Sequence, residues 1–105
     1  MNYISNAFSI QMLAETPATV EFMKIDIDAV TRILNASFVS AIGHTDTAAV
    51  VSDMLGIEVP ANRMNITLLE QDVLVVAQVV GGRLPEGATT LPDGIKIEFY
   101  IVKVL

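Results

Sequence analysis

The residue best suited to chemistry in this chain is its single histidine. His44 stands between Gly43 and Thr45, directly before a segment with helix signals. An imidazole titrates near neutral pH and can donate or accept a proton, and the free N–H groups at a helix start bind anions. This arrangement predicts a site that holds and cuts a phosphodiester. A plain polar loop before a helix is the alternative.

Arg83 and Glu86 are the next candidates. Arg83 follows Gly81 and Gly82, where the backbone can approach a ligand closely, and a guanidinium can bind phosphate through two parallel hydrogen bonds. Glu86 is expected to hold Arg83 or to activate a hydroxyl; a solvated ion pair between the two is the alternative. Arg63 is a second candidate phosphate ligand, or else a charge at a strand edge.

Three further polar residues stand at strand ends or between apolar neighbours, where each can contact a base or a ribose. They are Asn6, Ser9 and Gln78. Hydrogen-bonded structural roles are the commoner fate of such residues.

Absent motifs narrow the chemistry. The chain has no Gly-x-Ser-x-Gly elbow, P-loop or Rossmann fingerprint. Its carboxylates are scattered singly, whereas a two-metal nuclease needs them clustered, and without cysteine a structural zinc site is not expected. We expect neither metal nor cofactor. The remaining reaction is metal-free cleavage of an RNA-like linkage, in which the substrate supplies its 2′-hydroxyl as the nucleophile.

Composition limits the partners. A chain of 105 residues fits one domain, residues 1–105. Hydrophobic residues make up 52%, with a mean hydropathy of +0.57, which favours an apolar interface between two copies. The net charge of −6 argues against duplex DNA binding. No apolar run approaches the ~20 residues of a membrane span, and no secretory signal is recognisable, so a cytoplasmic location is expected.

The order of secondary-structure signals is strand, strand, helix, helix, strand, strand, strand. Predicted helices run from Asp26 or Asp28 to about Ala36, and from Thr45 to Leu55 with Thr45 or Thr47 as N-cap and Gly56 after the end. A hairpin turn is predicted at residues 70–72. The predicted strands cover residues 3–9, 19–25, 63–69, 73–80 and 95–104. This order favours a single α/β domain with a mixed five-stranded sheet flanked by helices.

At the candidate residues the chain resembles the viral type III anti-CRISPR ring nucleases. These are small proteins of archaeal viruses and phages, with relatives in bacterial mobile elements. The matching segments occur in the family's order and near its spacing. They are Asn6–Ser9, Ser40–His44, Asn62–Arg63, Gln78 and Arg83–Gly87.

The resemblance implies a C2 homodimer that encloses cyclic tetra-adenylate, the second messenger of type III CRISPR defence. The family cuts this ring without metal into linear di-adenylates ending in 2′,3′-cyclic phosphate, which leaves the defence ribonucleases unactivated. His44 matches the general acid, and Arg83 and Glu86 match the catalytic centre. The positions expected to contact the ligand are Asn6, Ser9, Gly43, Thr45 (through its backbone N–H), Arg63 and Gln78.

The proposed dimer and its ligand are both negatively charged. Two chains of net charge −6 carry −12, and the ring carries four phosphates. Two copies each of Arg63 and Arg83 supply four guanidiniums, which suffice if they converge. Three alternatives remain open: a protein that binds the messenger without cutting it, a viral DNA-binding regulator, and a degenerate relative that serves only as an interaction module. The source, whether virus, mobile element or host genome, also remains open.

Overall fold

The fold is built on a five-stranded mixed sheet with the strand order β2-β5-β4-β1-β3, in a computed structural model that describes residues 1–105. The helices are α1 (Ile27–Leu34) and α2 (Thr45–Leu55), and a short 3₁₀ helix covers Ile10–Met12. The strands are β1 (Asn2–Ser5), β2 (Val20–Ile25), β3 (Val39–Ser40), β4 (Val73–Val80) and β5 (Lys96–Val104). The predicted single α/β domain with a mixed five-stranded sheet is confirmed.

Three strands of the sheet run parallel. β1 pairs in parallel with both β4 and β3, while β5 pairs antiparallel with β4 and β2. The C-terminal ends of β1, β3 and β4, at Ser5, Ser40 and Val80, therefore lie along the same border of the sheet. We call this border the carboxyl edge. Ligand sites in sheets with parallel strands form outside such ends.

One face of the sheet packs on both helices. The buried side chains of α1 are Val30 and Leu34, and α2 contributes Val51 and Leu55 among others. On the sheet side they meet Ile4, Val75, Ala77, Ile97 and Phe99. Burial of about 1.5–3 kcal/mol per large apolar side chain makes this cluster the main source of stability.

The opposite face of the sheet is covered only in part. Ile66 and Leu68 are buried against Leu74, Val76 and Val102 there. Phe8 and Met12 pack beside them. Towards β2 the face is open, and Phe22 is 55% exposed.

The N-cap of α1 is one of the two residues predicted from the sequence, whereas the N-cap of α2 is not a predicted one. Asp26 caps α1 by accepting the Ala29 N–H at 2.8 Å. The N-cap of α2 is His44, and its side chain makes no capping hydrogen bond. The prediction of Thr45 or Thr47 as N-cap was wrong because the helix already begins at Thr45, which makes Thr45 its first residue and Thr47 its third. The predicted end at Gly56 is confirmed, with φ of 69°.

The predicted strand over residues 63–69 was wrong, and so was the hairpin that joined it to β4. Residues 63–69 form no strand, since their backbone pairing with a distant segment is an isolated bridge between Leu13 and Leu68. Asp72 instead closes a local turn by accepting the Leu69 N–H at 2.9 Å. The fifth strand is β3, a two-residue segment that pairs with β1.

The first strand is also shorter than predicted. It ends at Ser5, and Ser9 is the N-cap of the 3₁₀ helix, where its hydroxyl accepts the Gln11 N–H at 3.3 Å. Neither α1 nor α2 is long and apolar enough to cross a bilayer.

Candidate functional site

A cavity of about 380 Å³ lies at the carboxyl edge, beside the start of α2. It brings His44 and Arg83 together from segments that are distant in sequence. The topology explains why they are close. His44 follows β3 and Arg83 follows β4, and these two strands run in the same direction on either side of β1. The lining residues are His44, Asp46, Thr47, Val79, Gly82, Arg83 and Leu84.

The start of α2 supplies the cavity with free backbone donors. The first N–H of the helix that bonds within it is that of Ala48, which donates to the His44 carbonyl at 3.0 Å. The amides of residues 45–47 precede this bond and have no partner inside the helix. Because His44 provides no capping bond, these donors and the positive end of the helix dipole are available to an anion.

Arg63 is held beside Gly43, outside the residues that line the cavity, by the segment that precedes it. The backbone N–H of Asn62 donates to the Ile42 carbonyl at 2.8 Å, and its side-chain amide donates to the Ser40 carbonyl at 2.7 Å. These bonds fix the segment against the exit of β3. Arg63 then lies over Gly43, with Nε 3.6 Å from the position of a Cβ built on the glycine. A second guanidinium thus lies next to the neighbour of the candidate acid.

Arg83 and Glu86 lie in the loop between β4 and β5, residues 81–95. At its base Gly81 has φ of 95°, and a Cβ there would stand 2.6 Å from the Gly94 carbonyl oxygen, so this close approach requires glycine. Farther along, Gly87 donates its N–H to Asp46 Oδ1 at 3.1 Å. The loop that carries Arg83 is therefore hydrogen-bonded to the helix that follows His44.

The charges of the site are not neutralised by ion pairs. Lys24 pairs with Glu98 at 2.8 Å, and the terminal amine of Met1 pairs with Asp72 at 3.4 Å. The Glu98 hydrogen bond raises the pKa of Lys24 above its ordinary value, and Lys24 lowers the pKa of Glu98. Arg63 and Arg83 form no such pair, so the alternative of an Arg83–Glu86 ion pair is not realised. Both guanidiniums are exposed and free to meet an anionic ligand.

Not all the predicted ligand positions meet in one chain. Asn6 follows β1 directly at the carboxyl edge, and Thr45 is the exposed first residue of α2. Ser9 lies in a separate hollow with Gln11, Met64 and Thr67 among its neighbours. Glu86 lies in the Arg83 loop but does not line the cavity.

Gln78 lies on the opposite face of the sheet from the cavity. Its neighbour Val79 lines the cavity, and successive strand residues face opposite sides. Gln78 instead borders a hollow of about 440 Å³ on the open sheet face. The other lining residues of this hollow, called the aromatic hollow below, are Phe8, Phe22, Val76 and Tyr100. Its walls include an edge-to-face pair of Phe8 and Phe22 with centroids 5.5 Å apart.

Two residues of the site were not among the candidates from sequence. Asp46 stands in the first turn of α2, where an acidic residue is favoured by the helix dipole alone, and nothing local indicates its bond to a glycine 41 positions away. Asn62 precedes Arg63 directly, but its two bonds to the exit of β3 depend on the fold of residues 60–63. Each acts through backbone groups, for which sequence carries no signal.

Comparison with known proteins gives consistent viral matches. The STIV B116-like family matches residues 2–101. B116 of Sulfolobus turreted icosahedral virus superposes with a TM-score of 0.79 at 29% identity, over 97% of each chain. Uncharacterized protein ORF117 of Acidianus two-tailed virus is 32% identical over 108 residues, covering 96% of this chain and 91% of the relative. Uncharacterized protein 26 of Sulfolobus islandicus filamentous virus is 30% identical over 88 residues, covering 83% and 74%.

Proposed function

The chain belongs to the STIV B116-like family, and we propose that it is a viral ring nuclease that opens cyclic tetra-adenylate without a metal ion. In the cytoplasm of an infected host, this reaction would remove the signal that activates type III CRISPR ribonucleases. The observation that carries the proposal is the cavity that His44 and Arg83 share at the uncapped start of α2.

The cavity has the components that phosphate recognition needs. The free amides of residues 45–47 offer fixed donors, and Arg83 offers a planar guanidinium that can bind two phosphate oxygens at once. Arg63 lies beside Gly43, outside the cavity lining, and offers a second such group to a ligand that extends that far. The net charge of the chain is −6, but salt screens exposed charges that lie more than about 8–10 Å from a bound anion, so remote carboxylates oppose binding only weakly.

In the proposed reaction the ribose 2′-oxygen attacks the adjacent phosphorus. The new P–O2′ bond closes a 2′,3′-cyclic phosphate, and the bond from phosphorus to the 5′-oxygen breaks. The 2′-hydroxyl loses its proton to solvent, and His44 donates a proton to the departing 5′-oxygen. Arg83 stabilises the charge that develops on the phosphoryl oxygens, and Glu86 orients its neighbours. Two such cuts convert the ring into two linear di-adenylates.

A second copy of the chain completes the site in this proposal. Ser9 and Gln78 lie outside the His44 cavity of their own chain, so a role in binding requires another arrangement of subunits around the ring. The aromatic hollow provides an exposed apolar surface on which a twofold partner can pack. A twofold dimer also suits a symmetric ring, because each subunit can address one of two opposite linkages.

The test is to incubate the purified protein with cyclic tetra-adenylate in EDTA and to resolve the products by liquid chromatography and mass spectrometry. We expect linear di-adenylate with a 2′,3′-cyclic phosphate end. Intact ring that remains bound to excess protein would instead identify a sequestering protein. Intact ring without binding would overturn both readings, and salt-dependent affinity for duplex DNA would then favour a regulator.

A further inference from the structure

The loop that carries Arg83 and Glu86 has one side-chain hydrogen bond to the rest of the protein. Asp46, the second residue of α2, accepts the Gly87 N–H through Oδ1 at 3.1 Å. We propose that Asp46 is a positioning residue. Its bond to Gly87 holds the loop against the start of α2 and thereby sets the placement of Arg83 relative to His44. The consequence for catalysis rests on the proposed function, whereas the consequence for the loop does not.

The bonded glycine belongs to a tight turn, so fixing it also fixes its neighbours. The Ala88 N–H donates to the Pro85 carbonyl at 3.0 Å, and Gly87 between them has φ of 81°. A positive φ at the third position of a turn favours glycine, as in type II turns. Glu86 is the second residue of this turn. Asp46 therefore restrains the backbone on which Glu86 stands, and Arg83 lies just ahead of the turn.

The remaining anchors of the loop do not fix its approach to α2. Leu84 and Ala88 are partly buried against the helix-side core, but apolar contacts are not directional. Gly81 approaches Gly94 only at the base of the loop. The bond from Gly87 to Asp46 is directional, and it is the one side-chain hydrogen bond between the turn and the helix that follows His44.

Asp46 has two separable effects: its negative charge acts on the ligand, and its oxygen accepts the hydrogen bond from Gly87. Asp46 forms no ion pair and lines a cavity proposed to bind phosphates, so its negative charge opposes the ligand. An asparagine offers the same acceptor oxygen without the charge. Asp46→Asn thus keeps the bond to Gly87, whereas Asp46→Ala removes it.

Limited trypsin digestion of the full chain measures the loop directly. Arg83–Leu84 lies in the loop, and Arg63–Met64 is a reference site at another exposed arginine. We expect Asp46→Ala to raise cleavage at Arg83 relative to Arg63 by roughly two- to tenfold, as for loss of one exposed hydrogen bond. Asp46→Asn should stay within about twofold of the parent protein. An unchanged ratio in Asp46→Ala, or equal acceleration in both variants, would overturn the assignment.

Single-turnover cleavage of cyclic tetra-adenylate then tests the catalytic consequence. We expect Asp46→Ala to cut more slowly, and Asp46→Asn to recover the rate while binding the ring more tightly. A parental cutting rate in Asp46→Ala, despite an open loop, would show that the bond does not position the reaction. A parent protein that never opens the ring would end the proposed function and leave the digestion result standing.

Discussion

Arg63 lies against the backbone of Gly43, with Nε 3.6 Å from the point that a Cβ on the glycine would occupy. A separation of this size is an ordinary van der Waals contact, and φ of Gly43 is not positive. One methyl group therefore fits, whereas a longer side chain needs the space of the arginine. The size of residue 43 thus controls the position of residue 63.

Gly43→Leu is expected to weaken ring binding by about ten- to hundredfold, the cost of losing hydrogen bonds to a charged group. Gly43→Ala is the matched control and should bind within about threefold of the parent. Arg63→Ala should weaken binding as Gly43→Leu does, and the double variant should be no worse than either. Isothermal titration with a non-cleaving His44→Ala background measures all four. Additive losses in the double variant would contradict the displacement of Arg63.

His44→Ala should reduce the single-turnover rate by about 10²–10⁴-fold, the usual contribution of a general acid, while ring binding is largely kept. His44→Asn should reduce the cleavage rate by the same factor. Its folded state should nevertheless be more stable, because an asparagine at the N-cap accepts hydrogen bonds from the free amides that histidine leaves unbonded. The gain over His44→Ala is about 1 kcal/mol, or about 4–8 °C in melting temperature for a domain of this size. Equal melting temperatures would contradict an uncapped helix start, and a parental rate in either variant would exclude His44 as the acid.

Arg83→Ala should lower the cleavage rate by about 10²–10³-fold, as for removal of a group that stabilises transition-state charge. Arg83→Lys should recover only part of it, since an ammonium cannot bind phosphate in two parallel hydrogen bonds. Stability should change by less than about 0.5 kcal/mol, because Arg83 is exposed and forms no ion pair. Arg32→Ala, in the last turn of α1, is the control arginine and should cut at the parental rate.

Phe22 and Met23 offer a matched pair for the proposed dimer. They are adjacent in β2, are 55% and 53% exposed, and face opposite sides of the sheet. Phe22→Asp should weaken self-association by about tenfold or more, as for loss of an aromatic hot spot, whereas Met23→Asp should not. Sedimentation velocity at several concentrations measures the difference. Equal behaviour of the two variants would place the dimer interface elsewhere.

The sequence predicted the sheet correctly in number of strands but not in membership. Along residues 65–69 the buried residues Ile66 and Leu68 alternate with exposed neighbours, and a period of two is typical of a strand. The alternation is real, but it reports one buried face of an extended segment and not backbone pairing. β3, with two residues, is too short to show any period, and only its partner β1 reveals it.

The candidate site was partly predictable for a different reason. His44 and Arg83 were recognisable from side-chain chemistry and from flanking glycines. Their shared cavity depends on strand order, which places β3 and β4 on either side of β1 and is not encoded in any local pattern. The bond between Asp46 and Gly87 depends on the same long-range arrangement. Residue types therefore indicated the chemistry, and topology supplied the proximity.

The base of the Arg83 loop has a consequence for how such proteins diversify. β4 and β5 pair as far as Val80 and Lys96, and Gly81 approaches Gly94 immediately beyond. The chain thus returns to the sheet at the point where it left, and residues 81–95 form an excursion closed at its foot. Insertions or replacements in such an excursion need not alter the pairing of any strand. Exchange of this one segment between relatives would therefore change the part of the cavity lining that Gly82, Arg83 and Leu84 supply, on an unchanged scaffold.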